Sequence, residues 1–293
     1  MEAKMRKIRI ISFVLMVVML FSAFSFSTAF AATGEPKTFN SQKEACVEIR
    51  KGILERRNEV GSSSFDYYFT VYYKTKTYNS KTVYSEVRQE VYKHTGKYNE
   101  GDALKASIVE DGLNISAQNK GSYYLVRVVV YGKYYLSKTN YDKMNKWVKN
   151  NSMYLATKKY KTGTSDYGKA LGIYKWITKN VKYGKKSLGN EWEPWTQAYG
   201  AIYGKGTCAG IAQLTYMMMN AAGVQCRMQR CYDHAWVIVK LNSKWYIVDP
   251  TFGLGKSGTP YFLLGTKNYS RSSKVWADEY GGNITVNKTK YSK

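Results

Sequence analysis

Histidine is nearly absent from this 293-residue chain, which has only His94 and His234. Chemistry that needs an imidazole base must use one of them. Cysteine is scarce too: Cys46, Cys208, Cys226 and Cys231 are all there are. Four in a chain of this size exclude a disulfide scaffold, so each needs its own account. After the first thirty-odd residues no stretch is apolar enough to span a bilayer. Internal repeats are missing, and so are low-complexity tracts beyond a general Lys/Tyr/Asn bias, which excludes a repeat array. Acidic residues are outnumbered 21 to 45, for a formal charge of +24. That charge is spread through Lys-rich, Tyr-rich stretches and forms no single basic arm.

The start of the chain has a targeting layout. Lys4, Arg6, Lys7 and Arg9 precede an apolar run from Ile10 to Phe21, and Ala29-Phe30-Ala31 follows. This predicts a secretory signal peptide over residues 1–31, with an uncleaved anchor as the alternative. The expected location is secreted or cell surface. Removing that segment takes away four basic residues and one acidic one and leaves +21. Outside the cell, nucleic acid is a poor partner for such a surface. Anionic cell-surface polymers or lipid head groups fit better, and a basic surface with no specific partner is the bland alternative.

About 260 residues remain, enough for one large domain or a domain with an extension. Ser41 and Glu44 make a capping box, and Cys46, Ile49, Ile53 and Leu54 share the helical face behind it. Cys46 is therefore expected in the core as a small hydrophobe. Phe65 to Lys74 alternates like a strand, Val83 to Tyr92 suits a short helix, and Tyr123 to Ser137 reads as two strands around Gly132-Lys133. Tyr141, Met144 and Val148 are at helical spacing. The polar segment Lys158 to Ser165 is the expected boundary. It separates an N-terminal mixed α/β extension, residues 32–160, from a domain over 161–293. Ser165 caps a helix through Ala170, Ile173, Tyr174, Ile177 and Val181, and a short helix is expected from Thr196 to Tyr203.

"YGKGTCAGIAQLTYMMMNAAGV", Tyr203 to Val224, puts Cys208 in the first turn of a helix that ends at Gly223. Unsatisfied N–H groups and the helix dipole favour a negative charge there, so the position lowers a thiol's pKa. Gly206 and Gly210 would let a substrate backbone come close.

His94 lies in a polar, loop-like context and reads as a solvated surface residue. His234 opens "HAWVIVKLNSKWYIVDPTFG", two alternating runs around Asn242-Ser243. A two-residue turn sets Leu241 opposite Lys244 and Trp236 opposite Asp249. His234, Trp236 and Asp249 then share a face, with His234 and Asp249 diagonal neighbours. The bland readings are a core histidine and a turn-capping acid before Pro250. Cys226, Cys231 and His234 also read as C-x4-C-x2-H, three potential zinc ligands without a clear fourth, so no metal and no cofactor is expected. A Cys226–Cys231 disulfide and two buried thiols both remain open.

With these residues in hand, the sequence resembles the transglutaminase-like superfamily, related to papain-type thiol enzymes. "DYGKALGIYKWITKNVKY" is similar to the helix before the active-site loop, "AYGAIYGKGTCAGIAQLTYMMMNAAGV" to the nucleophile loop and helix, and "DHAWVIVKLNSKWYIVDPTFG" to the His–Asp hairpin. The resemblance covers residues from about 165 to 255. It implies an α+β fold with a nucleophile helix packed on an antiparallel sheet. It implies Cys208 as nucleophile, His234 as general base and acid, and Asp249 as orienter. The activity implied is acyl transfer at amide bonds of a protein or peptide substrate, with a cysteine protease or amidase favoured and cross-linking as the alternative. The backbone N–H of Cys208 is the implied oxyanion donor, with Gln197 a further candidate by its upstream position. A cell-surface binding role that keeps the fold is the competing class.

Overall fold

The computed structural model describes residues 37–59, 64–272 and 284–292. The expected signal peptide lies outside the described residues. Residues 37–293 form one compact unit, and the fold is α+β.

β1 (Thr38–Phe39) leads into α1 (Gln42–Glu55) through the expected cap: Ser41 Oγ accepts the Glu44 amide at 3.2 Å. Glu44 reaches back to the Asn40 amide, one residue earlier than a strict capping box would. β2 (Tyr67–Thr75) alternates as its sequence predicts, with Tyr67, Phe69, Val71 and Tyr73 inward. α2 (Val83–Val91) and α3 (Asp102–Ala106) follow, then β3 (Ile108–Asn119) and β4 (Tyr124–Tyr134). The sheet order is β1-β2-β4-β3, parallel at β1/β2 and antiparallel elsewhere. One expectation fails here. Residues 123–137 do not make a hairpin: Gly132 is inside β4, paired to Tyr67 on one side and Asp111 on the other. Its bare backbone is needed for space, because a side chain would meet the Glu110 carbonyl oxygen at 2.1 Å and the Tyr67 hydroxyl at 2.3 Å. The true hairpin partner, β3, is polar and half-exposed and carries little alternation.

α4 (Lys138–Thr157), α5 (Asp166–Asn180), α6 (Ala198–Tyr203) and α7 (Cys208–Ala221) precede a second sheet of β5 (Cys226–Arg230), β6 (Ala235–Leu241) and β7 (Lys244–Val248). Ser165 caps α5 by accepting the Gly168 amide. α7 lies at the centre, its Ile211, Leu214, Met217 and Met218 buried among Met144 and Val148 of α4, Ile173 and Ile177 of α5, and Val237 and Val239 of β6. Each such side chain contributes about 1.5–3 kcal/mol by leaving water. α4 thus shares a core with α5 and α7, although it precedes the 158–165 loop.

The first sheet and its helices have a separate apolar cluster that includes Cys46, Phe69 and Val128. Polar contacts tie the two parts together. Asp102 accepts the Met228 amide at 2.7 Å and lies 3.3 Å from Arg227 Nε. His94 belongs here and not on an open surface: it is partly buried, with Nδ1 3.4 Å from the Tyr216 hydroxyl and Nε2 3.3 Å from Asp102. Burial, then the charge of Arg227, holds its pKa below the ordinary value.

Candidate active site

The segment before α7 is clamped on two sides. Gly206 donates to the Lys182 carbonyl at 3.0 Å and accepts from Gly184 at 3.1 Å. Thr207, the residue before the helix, donates its amide to the Trp195 carbonyl at 2.9 Å. Gly210 packs on the same strap, where a side chain would lie 2.5 Å from the Trp195 carbonyl oxygen and 2.7 Å from that of Gln197. Gly206 is likewise closed off by Ala201. The space over both glycines is therefore filled by the protein itself, not left for a substrate backbone as expected. Together these contacts hold Cys208, half-buried, as the first residue of α7. Its amide has no intrahelical acceptor at that position.

The hairpin adopts the expected register. Leu241 pairs with Lys244, and the ladder runs to Val237–Val248. Asn242 and Ser243 have φ of 48° and 63°, the left-handed pair of a tight hairpin turn whose twist matches the strands. His234 stands just before β6 and Asp249 just after β7, and their side chains meet with His234 Nε2 2.7 Å from Asp249 Oδ2. Asp249 is fully buried, and its two oxygens make contacts of both expected kinds. Its Oδ1 accepts the Phe252 amide at 3.1 Å, capping the short helix α8 (Pro250–Gly253), while Oδ2 takes the imidazole.

Two neighbours of this pair, Tyr269 and Phe252, were not anticipated, while Trp236 shares the face of His234 as expected. The Tyr269 hydroxyl donates to Asp249 Oδ2 at 2.7 Å. Phe252 stacks on the His234 ring at 4.3 Å and 8°, and Trp236 stands on the ring at 5.9 Å and 23°. Trp236 is fully buried and donates Nε1 to Gln229. Aromatic faces on an imidazolium are attractive and exclude water.

The third member joins through the other ring nitrogen. With Nε2 given to Asp249, Nδ1 is the ring nitrogen left to act on the Cys208 thiol, whose pKa His234 lowers. Burial alone would push that thiol up. The His234 hydrogen bond, the Ala235 amide, the imidazolium charge and the Ala209 amide together hold it below its ordinary value. Burial would lower His234, but hydrogen bonds to Asp249 and Cys208 raise it to about 9. The arrangement favours a thiolate–imidazolium pair whose titration belongs to both groups.

Gln197 is not available as the expected oxyanion donor. It is buried, and its Nε2 hydrogens go to the Ala106 carbonyl at 3.0 Å and Thr196 Oγ1 at 3.3 Å. All four cysteines are free thiols. Cys226 starts β5 and packs in the α7 core, whereas Cys231, beyond its end, packs on the other side with Trp236 and Ile238. Five residues of extended chain, about 16 Å, also exceed the reach of a disulfide. The C-x4-C-x2-H triple is thus not gathered, and no metal-holding group exists among the described residues. An open cavity of about 810 Å³, lined by Arg56, Tyr134, Tyr135 and Trp192 among others, is separate from this site: none of the three residues lines it.

Residues 153–250 match the family model of the transglutaminase-like superfamily. A comparison with curated proteins finds no match. Among solved structures, a candidate cysteine protease from Cytophaga hutchinsonii is 14% identical, covering 50% of this chain and 66% of its own, with a TM-score of 0.29. A TGase is also 14% identical over 79% of this chain and 64% of its own, at 0.30. A candidate protease from Parabacteroides distasonis is 13% identical over 61% and 39%, at 0.27. The chain spans less than two thirds of the length of each.

Proposed function

With residues 153–250 a transglutaminase-like domain, we propose that this chain is a thiol enzyme transferring acyl groups from amides, working as a peptidase or amidase. The observation that carries the reading is the buried His234–Asp249 pair at 2.7 Å, beside a helix-start thiol whose pKa His234 lowers. In this mechanism the Cys208 thiolate attacks an amide carbonyl. The oxyanion forms near the helix start, with the Cys208 backbone N–H as donor. His234 passes its Nδ1 proton to the leaving amine, and the carbonyl carbon stays on sulfur as a thioester. Water, deprotonated by the now neutral imidazole, then releases the acid and regenerates the pair. Asp249 keeps the ring oriented and stabilises its charged form. Cross-linking needs the same residues, with an amine in place of water. On the layout of residues 1–31 we place the enzyme outside the cell or at its surface, with the first sheet and its helices as an extension and with α4 joining the expected catalytic part, 161–293.

Alkylation of the native protein across pH, compared in Cys208→Ala and His234→Ala, tests the thiol. Fast labelling near pH 6–7 that depends on both residues is expected. A rate no higher than that of an ordinary thiol, with its pKa of about 8.5, removes the enzyme reading. A labelled primary amine, offered with protein and peptidoglycan substrates, decides between outcomes. Hydrolysis without amine incorporation is expected, and covalent incorporation replaces the hydrolase with a transferase.

A further inference from the structure

The clamp that holds the thiol loop also collects positive charge. Residues 182–184 pair with Gly206 through the hydrogen bonds given above, and Tyr183 forms the bridge. Lys205 lies across the backbone of Gly184, its Cδ 3.2 Å from where a side chain would begin there. Lys186 lies across Gly204 in the same way, its Cδ at 3.1 Å. Lys185 extends its ammonium to 6.0 Å from the centre of the Trp195 ring, and Trp195 receives the amide of Thr207, the residue before Cys208. Lys182, Lys185, Lys186 and Lys205 are all exposed, and none has an ion-pair partner among the described residues. Of the acids in the same loop, Glu191 is taken elsewhere, binding the Ser137 amide at 2.7 Å and the Asn140 side chain. Tyr183 is 57% exposed in this bank. Its phenol is raised by burial and then by the charge of Cys208, which marks it as the thiol's neighbour.

We propose that this bank, Lys182, Lys185, Lys186 and Lys205 with Tyr183, recognises an acidic acyl donor: a peptide segment with carboxylates beside the amide that Cys208 attacks. This rests on the thiol-enzyme reading above and names its substrate class. The ammonium groups are hydrated and mobile, so each exposed pairing is weak alone. Several on one edge add a field that reaches about 8 Å at physiological salt, raising the local concentration of an anionic chain. Such a surface acts on encounter and KM more than on the chemical step. Carboxylate-bearing peptides come from acidic protein segments and from peptidoglycan stems, and the chemistry recognised is the same.

The test uses the full chain and two alkylators that differ in charge. Cys208 labelling by iodoacetate and by iodoacetamide is timed at low salt in the wild type, in Lys185→Glu/Lys186→Glu and in Lys185→Arg/Lys186→Arg. The iodoacetate-to-iodoacetamide ratio is expected to fall about fivefold in the Glu variant, to hold in the Arg variant, and to drop in the wild type as salt is raised. A ratio unmoved by charge reversal overturns the proposal. A second arm measures binding of a Glu-containing peptide, its Gln counterpart and a stem peptide to Cys208→Ala, which needs no turnover. Tighter binding of either acidic ligand, abolished by charge reversal, supports the proposal, and which of the two binds identifies the source. Equal binding of the Glu and Gln peptides with no stem-peptide binding overturns it, as does binding only to an anionic phosphate polymer. Should Cys208 prove an ordinary thiol, the enzyme reading falls while this second arm still decides the lysine bank.

Discussion

Cys46 sits inside α1, its sulfur 3.9 Å from the Val87 carbonyl, whereas Cys208 is the first residue of α7. Burial is the largest influence on both thiols, and it acts upward on both. At Cys46 it wins. Glu90 adds to it, the charges of Arg50 and Lys93 do not offset it, and the pKa is pushed up to about 12. At Cys208 a charged imidazole and two backbone amides reverse it. The difference teaches that burial alone does not set a thiol's pKa here. What matters is whether donors converge on the sulfur, and a helix start next to a hairpin end supplies them where a helix interior cannot.

The comparison breaks most visibly by deleting each sulfur. Cys208→Ala is expected to lower amide turnover at least about 10³-fold and to abolish fast alkylation, while Cys46→Ala leaves both intact in the folded fraction. Kinetics with mass-spectrometric mapping of the labelled thiol would check this, and fast labelling at Cys46 would sink the contrast. A pH series sharpens it next. His234 is raised, so its charged form persists below about 9 and is lost as pH rises through that value. Cys208 is lowered, so its thiolate is lost only as pH falls below the ordinary thiol range. Amide turnover should therefore fall above about pH 9, for want of an acid to protonate the leaving amine, while alkylation continues. Parallel profiles for both reactions would refute that division. Tyr269→Phe removes one donor from a buried carboxylate and should cost about 1–3 kcal/mol, read as a shift in denaturant midpoint with unchanged slope. The smallest effect is expected at Gln197. An oxyanion donor would cost about 10²–10³ in kcat on truncation. Gln197→Ala should instead change kcat less than about fivefold, because its amide is spent on Ala106 and Thr196.

The hairpin was legible because its two alternating runs and two-residue turn leave a single register, and parity then decides which side chains share a face. Ser41 and Ser165 were legible for a similar reason: caps are local chemistry. Tyr269 and Phe252 were not, since no local pattern marks a residue whose partner arrives through tertiary packing. β3 was missed because an edge strand of half-exposed polar residues lacks alternation. Gly132 was misread because a glycine needed for close packing looks the same as one needed for a turn. His94 was misjudged from its polar neighbours in sequence, when Tyr216 and Asp102 decide its surroundings.

Asp249 is held by a tyrosine twenty residues further on, and the thiol it arms through His234 lies well upstream of both. In N-to-C order of synthesis, then, the nucleophile is made first and its ignition last. A nascent chain that ends short of residue 249 carries Cys208 without the imidazole's buried counter-charge. One that ends short of Tyr269 carries that counter-charge with a vacant bond. On the function proposed above, reactivity would follow completion of the fold.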